Sequence, residues 1–387
     1  MLAAVPRTPT DVRAAVERVL PLVADRADAM ERKGRLDDDV VAALRDTGLN
    51  GLAVPAALGG LEAPVLDAVD IFERIAAVDG STAWCSVISS GSNLFAGYMD
   101  EAAARTVFSD PDQGNATMFG PYGRLARGPD GARRLSGRWP FASNCLHSAW
   151  IGLGAFVEDD DGSPQPGPRV CFVAMDQVEV EDTWDVLGLC ATGSHHVSVA
   201  DVGFDLARSC SFADRAWPEG TLWRLPIYTA LLPTLAAVPL GIARGALDEV
   251  HRQAREGRTA RRGQLGDDPV AMAGLAAADT RLRAARAALR EVVGEAHDRA
   301  ARGEPVDRPL QARSFLACLH ACDVGVEVTA EAHALGGGAA AYTASPLPRA
   351  LRDVHTARQH LLFAPRHRVE LGKVVAGLDV VYPPFVT

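Results

Sequence analysis

The segment GRWPFASNCLH, residues 137–147, joins two bulky aromatic side chains to a hydroxyl and a histidine. Trp139 and Phe141 flank a proline, a pattern typical of residues packed at the end of a strand. Ser143 follows, and its hydroxyl can both donate and accept a hydrogen bond. His147 comes next, and a histidine can exchange a proton near neutral pH. Core packing explains the aromatic pair, whereas the polar tail indicates a candidate site for chemistry.

Ten histidines occur in the chain, and most lie in helical stretches where packing or solvent exposure explains them. His360 closes the segment RDVHTARQH, and its spacing from His355 places the two on different faces of a helix. His195 and His196 are neighbours in an extended segment, so at most one of them points into a pocket. His147, four residues after Ser143, can reach the same site, whereas spacing alone leaves the role of His360 open.

Two glycine turns and an arginine cluster are suited to an anionic cofactor. Thr192, Gly193 and Ser194 form a tight turn that offers N–H groups and hydroxyls. The loop at 336–338 is three glycines, which permit close approach of backbone to a ligand. The segment REGRTARRGQLG contains Arg258, Arg261 and Arg262. Their guanidinium groups could bind a phosphate. By contrast, ion pairs within the protein are the simpler explanation for Arg349, Arg352 and Asp353.

The composition excludes several classes of partner. The net charge of -10 at pH 7 disfavours nucleic acid and anionic membranes, which both attract basic surfaces. No apolar run is expected to reach the roughly 18 residues of a membrane helix, and the N-terminus lacks a signal-peptide pattern. Seven cysteines without CxxC spacing indicate reduced thiols in a cytoplasmic protein rather than disulfides or a metal site.

The periodicity changes twice along the chain, which predicts an α+β fold of three domains. Residues 1–114 read as an N-terminal helical domain, beginning at the capping pattern Thr8-Pro9-Thr10-Asp11. Residues 115–214 alternate β-branched residues with turns and predict a central antiparallel β domain. Residues 215–387 return to helix and predict a C-terminal four-helix bundle, with a seam in which leucines recur every seven residues, at Leu275, Leu282 and Leu289.

Six segments fall in an order that points to a known family: LRDTGLNGLAVPAALGGLEAP, ERIAAVDGSTAW, TMFGPYGRLA, LSGRWPFASNCLHSAW, WDVLGLCATGSHHVSVADV and EAHALGGGAAAYTASPLPRALRDVHTARQH. Together they resemble the acyl-CoA dehydrogenase superfamily over nearly the whole chain. GRWPFASNCLHSAW is similar to its flavin-dependent monooxygenases, the oxygenase components of two-component hydroxylases. The dehydrogenases use a carboxylate base, and one of its usual places is a Tyr-Glu-Gly near the C-terminal helix, where this chain reads Arg358-Gln359-His360-Leu361-Leu362. Other dehydrogenases carry this glutamate on an earlier helix.

The resemblance implies a cofactor and a set of site residues. Reduced FMN or FAD would come from a separate flavin reductase, and O2 would be the oxidant. The catalytic residues implied are His360, Ser143 and His147, with Ser143 near flavin N5. The cofactor-binding residues implied are Trp139, Phe141, Ser143, Thr192, Gly193, Ser194, Gly336, Gly337 and Arg258. No metal ligands are implied. The family is usually tetrameric, so we expect a homotetramer.

The function expected on this basis is hydroxylation of a small aromatic, phenolic or polyketide-type substrate through a flavin C4a-hydroperoxide. N-hydroxylation of an amino-sugar, as in the related nitrososynthases, is an alternative on the same fold. An acyl-CoA dehydrogenase or oxidase is a second alternative, for which Glu249 and Glu256 are the candidate bases. A helical assembly that has lost its flavin is a third.

Overall fold

The N-terminal region is helical, as the capping pattern and periodicity predict. In the computed structural model, which describes residues 7–128, 130–159, 163, 165–260 and 263–380, Thr8 accepts a hydrogen bond from Asp11 N and forms a capping box. Asp79 caps a later helix by accepting from Thr82 N. The helices are α1 (Pro9–Lys33), α2 (Asp38–Asp46), α3 (Val65–Ala76), α4 (Gly80–Asn93) and α5 (Glu101–Val107).

A seven-stranded sheet follows, with the strand order β5-β6-β2-β1-β3-β4-β7. Its strands are β1 (Ala116–Arg127), β2 (Arg133–Trp139), β3 (Trp150–Val157), β4 (Arg169–Ala174), β5 (Glu179–Glu181), β6 (His196–Gly203) and β7 (Ser209–Cys210). The prediction of an entirely antiparallel sheet was wrong in one pair, because β1 and β3 run parallel. After the β1–β2 hairpin the chain crosses to the other side of β1, and residues 140–149 form this crossover.

The C-terminal region is a helical bundle in which α7 packs on α8 and both pack on α6. The predicted leucine seam of α7 is buried, since Leu275, Leu282 and Leu289 are at most 6% exposed. The elements are α6 (Ile227–Arg255), the short hairpin β8 (Thr259–Ala260) and β9 (Gly263–Gln264), α7 (Pro269–Ala301), α8 (Arg308–Gly336), α9 (Pro346–Ala357) and α10 (His367–Val375).

Helix α6 corrects the expectation that no segment is long and apolar enough to span a membrane. Within the described residues, α6 alone meets that criterion of length and composition. However, 83% of its apolar window is buried inside the protein. Contacts with α3, α8 and α9 provide that burial, so the apolar character is explained by the position of α6 at the centre of the bundle.

The three predicted regions correspond to runs of different secondary structure. Helix α5 ends at Val107 before β1 begins at Ala116, and β7 ends at Cys210 before α6 begins at Ile227. The proposed divisions after residues 114 and 214 lie close to these transitions and stay predictions. All seven cysteines are free, and Cys318 and Cys322 are buried within the bundle.

Candidate active site

The crossover between β2 and β3 brings the central segment against the turn at 188–195. Ala142 N donates to His195 O at 2.9 Å, and Asn144 N donates to Thr192 O at 3.3 Å. Phe141 and Asn144 both have left-handed backbone conformations, with φ of 62° and 65°. These two conformations reverse the direction of the chain around Ser143 and leave its side chain facing the turn.

Three hydroxyl groups lie in a buried row at this contact. Ser143 Oγ is 2.7 Å from Ser194 Oγ, and Ser194 Oγ is 2.7 Å from Thr192 Oγ1. The Thr192 hydroxyl donates to Leu189 O at 2.8 Å. All three side chains are predicted site residues, and they are 8%, 2% and 1% exposed for Ser143, Ser194 and Thr192. The structure therefore connects two segments that are far apart in sequence.

Trp84 joins this row to His360 and was not among the predicted site residues. Its indole Nε1 donates to Ser143 Oγ at 3.2 Å. The same indole meets the His360 ring edge to face, with the ring centroids 5.4 Å apart. Trp84 lies one turn into α4 and is 5% exposed. Trp84 ends the segment ERIAAVDGSTAW, which carries the family resemblance and is the signal by which the sequence could have indicated it.

His360 follows the end of α9 and is held in one tautomer. Its Nδ1 accepts from Leu362 N at 3.3 Å, so the proton of the neutral ring belongs on Nε2. The ring also meets Phe363 edge to face at 6.2 Å. Burial lowers the pKa of His360 to about 4, because burial disfavours the charged form. At neutral pH this side chain is therefore an uncharged hydrogen-bond donor.

Phe141 extends from the crossover with 61% of its surface exposed. Its ring meets Trp184 and His196 edge to face, at 6.3 and 6.2 Å. A bulky residue with a positive φ is strained by about 1–3 kcal/mol, and such strain concentrates at functional sites. An exposed aromatic face in a strained conformation beside Ser143 suits a flat ligand ring.

Comparison with known proteins identifies the family. The acyl-CoA dehydrogenase N-terminal domain matches residues 9–105, and the acyl-CoA dehydrogenase C-terminal domain matches residues 233–365. The chain is 31% identical to indole-3-acetate monooxygenase of Pseudomonas putida over 89% of each chain. The chain belongs to the acyl-CoA dehydrogenase superfamily.

Two further relatives place the chain in the monooxygenase branch of that superfamily. It is 29% identical to the flavin-dependent monooxygenase oxygenase subunit HsaA of Mycobacterium tuberculosis, over 92% of each chain. XiaF from Streptomyces, solved in complex with FADH2 and glycerol, is 27% identical over 97% of each chain, with a TM-score of 0.90. The resemblance to flavin-dependent monooxygenases inferred from the sequence is thus confirmed.

The residues present fit the reduced flavin cofactor of this superfamily branch. Phe141 offers an exposed aromatic face, and Ser143 offers a hydroxyl at the same place. Gly193 adopts a φ of 51°, and a Cβ there would lie 2.8 Å from Leu146 Cδ1 and 3.3 Å from Gly34 O. The turn 192–194 can therefore bring its backbone close to its neighbours only with glycine at this position. Its place in cofactor binding stays a prediction.

Two residues predicted to bind the cofactor have other roles in the structure. Trp139 is 0% exposed, and its indole donates to Gly154 O at 2.7 Å inside the core of the sheet. Arg258 donates to the carbonyls of Leu335 and Gly336, both at 2.8 Å, and so caps the C-terminus of α8. The Trp139 ring cannot offer a face to a ligand, and the Arg258 guanidinium is committed to the helix end.

The remaining predicted residues lie at the end of α8 and in the crossover. Gly336 and Gly337 are at the C-terminal end of α8, and Gly337 has a φ of 56°. Arg261 and Arg262 lie outside the described residues. His147 lines a cavity of about 530 Å³ together with Cys85 of α4 and with Asn144, the neighbour of Ser143, and burial lowers its pKa to about 4.

Proposed function

We propose that this chain is the oxygenase component of a two-component flavin-dependent monooxygenase. It would take reduced FMN or FAD from a separate flavin reductase and use O2 to hydroxylate a small aromatic or phenolic substrate, including polyketide-type phenols. The observation that carries the proposal is the connected set of Ser143, Trp84 and His360, with the exposed Phe141 beside it. The bound reduced flavin would supply the reaction of O2 with the substrate.

Three side chains of the site would bind and orient the flavin. Phe141 would hold the flat ring, and Ser143 would fix its polar edge. His360 keeps its proton on Nε2 and stays uncharged at neutral pH, so it would donate a hydrogen bond without releasing a proton. The apolar surroundings that lower its pKa also limit the entry of water. Relatives named for indole-3-acetate and resorcinol oxidation support an aromatic substrate.

The structure gives less support to an acyl-CoA dehydrogenase. Its candidate bases Glu249 and Glu256 both pair with Arg252 near the end of α6, and His360 lies at one of the usual places of the dehydrogenases' glutamate. A carboxylate engaged by a guanidinium has a low pKa and abstracts a proton poorly, and the pKa of Glu249 is indeed lowered despite its partial burial.

The test supplies reduced FMN or FAD from an unrelated flavin reductase, with oxygenated buffer and a panel of phenols and indoles. We expect a product one oxygen atom heavier by mass spectrometry, with that atom derived from 18O2. The variant His360→Ala should lower the turnover number by roughly 100-fold and raise the yield of hydrogen peroxide. His355→Ala, on an exposed face of α9, is the matched control. Acyl-CoA-dependent bleaching of bound FAD, without oxygen incorporation, would contradict the proposal.

We also propose that the protein is a cytoplasmic homotetramer. The free cysteines are consistent with a reducing compartment, and the superfamily usually assembles through its C-terminal helices. Large apolar side chains are exposed on those helices, with Val270 and Val369 78% and 62% exposed. Native mass spectrometry should give four copies of the chain, and a monomer at micromolar concentration would contradict this assembly.

A further inference from the structure

In the row of hydroxyl groups formed by Thr192, Ser194 and Ser143, the groups at the two ends determine which oxygen donates in each hydrogen bond. Three short oxygen–oxygen contacts link Leu189 O, Thr192 Oγ1, Ser194 Oγ and Ser143 Oγ, at 2.8, 2.7 and 2.7 Å. Each contact of this length needs one proton between its two oxygens. The row contains three hydroxyl protons, one on each side chain, and the carbonyl of Leu189 contributes none. Every proton is therefore assigned to one contact.

The carbonyl at one end fixes where each proton of the row lies. Leu189 O only accepts, so the Thr192 proton lies on that contact. Ser194 must then donate to Thr192, and Ser143 must donate to Ser194. At the other end, Trp84 Nε1 is a donor only and donates to Ser143 Oγ. The Ser143 proton is therefore used in the bond to Ser194. Toward any further partner, the Ser143 oxygen can only accept a hydrogen bond.

We propose that Thr192 and Ser194 are positioning residues that make Ser143 an acceptor toward the flavin and so select the reduced cofactor. This inference rests on the proposed function. Reduced flavin carries a hydrogen on N5, whereas oxidised flavin has a lone pair there. A Ser143 oxygen that can only accept suits the N5 hydrogen of reduced flavin. Against oxidised flavin, the lone pair of Ser143 would face the lone pair of N5, and this unsatisfied contact disfavours binding.

Removal of a hydroxyl from the row should weaken this selection for reduced flavin. In Ser194→Ala the Ser143 proton loses its acceptor and can turn toward the cofactor. In Thr192→Val the Ser194 proton loses its acceptor and can turn toward Ser143, which releases the Ser143 proton. Leu189 O stays satisfied in Thr192→Val, since Thr192 N and Trp184 Nε1 both donate to it at 3.1 Å. Thr192→Ser keeps the hydroxyl and is the conservative counterpart.

The experiment measures Kd for oxidised and dithionite-reduced FMN and FAD, anaerobically, in the wild type and the three variants. We expect the wild type to bind the reduced form more tightly. The ratio of the oxidised Kd to the reduced Kd should fall about tenfold in Ser194→Ala and Thr192→Val, the value of about one hydrogen bond. Thr192→Ser should restore the wild-type ratio, and circular dichroism should show all chains folded.

The other outcomes are distinct. Parallel weakening of both Kd values, or a ratio unchanged in both hydroxyl-deletion variants, would overturn the positioning role while leaving the proposed function intact. A purely structural role for the hydroxyls predicts that parallel weakening. If the wild type bound neither reduced nor oxidised flavin, the proposed function and the positioning role would both be wrong.

Discussion

Phe141 shows most directly how a single residue departs from local preference. Along β2 the side chains alternate, so Leu135 and Trp139 both point into the core. Continued alternation would bury Phe141 as well. The left-handed backbone at Phe141, with φ of 62°, instead turns its ring outward to 61% exposure. The left-handed conformation thus exposes a ring that continued alternation would bury.

Substitution of Phe141 separates stability from cofactor binding. Glycine adopts a positive φ without strain, and the exposed ring contributes little packing. We expect Phe141→Gly to leave the free energy of unfolding unchanged or to raise it by up to about 1 kcal/mol, while Kd for reduced flavin weakens by roughly tenfold. Urea unfolding and anaerobic flavin titration measure the two quantities.

Phe141→Ala is the matched control, because alanine removes the ring and keeps the backbone strain. It should weaken flavin binding to a similar extent without any gain in stability. If Phe141→Gly were instead destabilised by more than about 1 kcal/mol and retained its flavin affinity, the ring would be a packing residue and not a cofactor surface.

The sequence predicts some of the site residues and misses others for physical reasons. Ser143, Thr192, Ser194 and His360 stand in motifs whose chemistry is legible locally. Trp84 is recognised only through a hydrogen bond across 59 positions of sequence, which depends on how α4 packs against the crossover. Trp139 does not face a ligand, and its alternation with Leu135 along β2 already indicates an inward side chain.

At the scale of elements, Asp353 lies where α9, α4 and the turn at 188–195 meet. Its Oδ1 accepts from Leu189 N at 2.6 Å, and the side chain is 3% exposed. A Cβ at Gly80, the first residue of α4, would lie 3.0 Å from Asp353 Oδ2. A Cβ at Gly188 would lie 2.3 Å from the carbonyl of Arg352. The elements that carry Trp84, Ser194 and His360 are therefore fixed to each other here.

Substitutions of Asp353 should show how much the hydrogen bond from Leu189 N to its carboxyl oxygen contributes to stability. Asp353→Ala leaves a buried N–H of Leu189 unpaired, so we expect a loss of about 2–4 kcal/mol in the free energy of unfolding and a weaker Kd for reduced flavin. Asp353→Asn keeps an amide oxygen for the same bond and should be at least as stable as the wild type at neutral pH, because the amide has no ionised form that favours the unfolded chain. Chemical denaturation and flavin titration provide both readouts.

Asp248→Asn is the matched control for this series. Asp248 lines the same cavity of about 370 Å³ as Asp353, but its side chain is 57% exposed and pairs with Arg244 on the surface. Exposed pairs contribute little, so this variant should resemble the wild type. Equal effects of Asp353→Ala and Asp248→Asn would show that the contact with Leu189 contributes nothing specific.

The order of elements was predictable, whereas one pairing of strands was not. Caps such as Thr8 and the leucine period of α7 are local signals. The order of a helical region, a sheet and a second helical region was therefore predicted correctly. Arg349 and Arg352 of α9 do form ion pairs, but with Asp28 and Glu31 of α1, whereas Asp353 accepts a hydrogen bond from Leu189 N. The parallel pairing of β1 and β3 depends on where the crossover carries the chain, and alternation within a strand does not encode that path.

At the scale of the whole molecule, three buried groups give stability a dependence on pH with two opposite slopes. Burial lowers the pKa of His147 and of His360 to about 4, below the usual value of about 6.5. Burial, and then the neighbouring Asp79, raise the pKa of Asp353 to about 8. In each case the folded and unfolded chains bind different numbers of protons over the intervening pH range.

The signs place a stability maximum between about pH 6 and pH 7. As the pH falls from about 6.5 toward 4, the unfolded chain protonates its histidines before the folded chain does, so the two histidines lower the stability by more than Asp353 raises it. As the pH rises from about 6.5 to 8, unfolded Asp353 is ionised while the folded carboxyl resists ionisation, and stability falls again. Each unit of pH changes a single group's contribution by up to about 1.4 kcal/mol.

Urea unfolding at intervals of pH tests this profile and assigns its two slopes. Asp353→Asn cannot ionise, so it should flatten the alkaline slope and make the acid slope steeper, because Asp353 no longer offsets the two histidines. His147→Gln should reduce the acid slope and leave the alkaline slope, whereas the exposed His355→Gln should change neither. A profile that rises steadily from about pH 5 to pH 8 in the wild type would mean that Asp353 is ionised throughout, and that the carboxylate is stabilised at the junction of the three elements by Arg349 and Leu189 N–H.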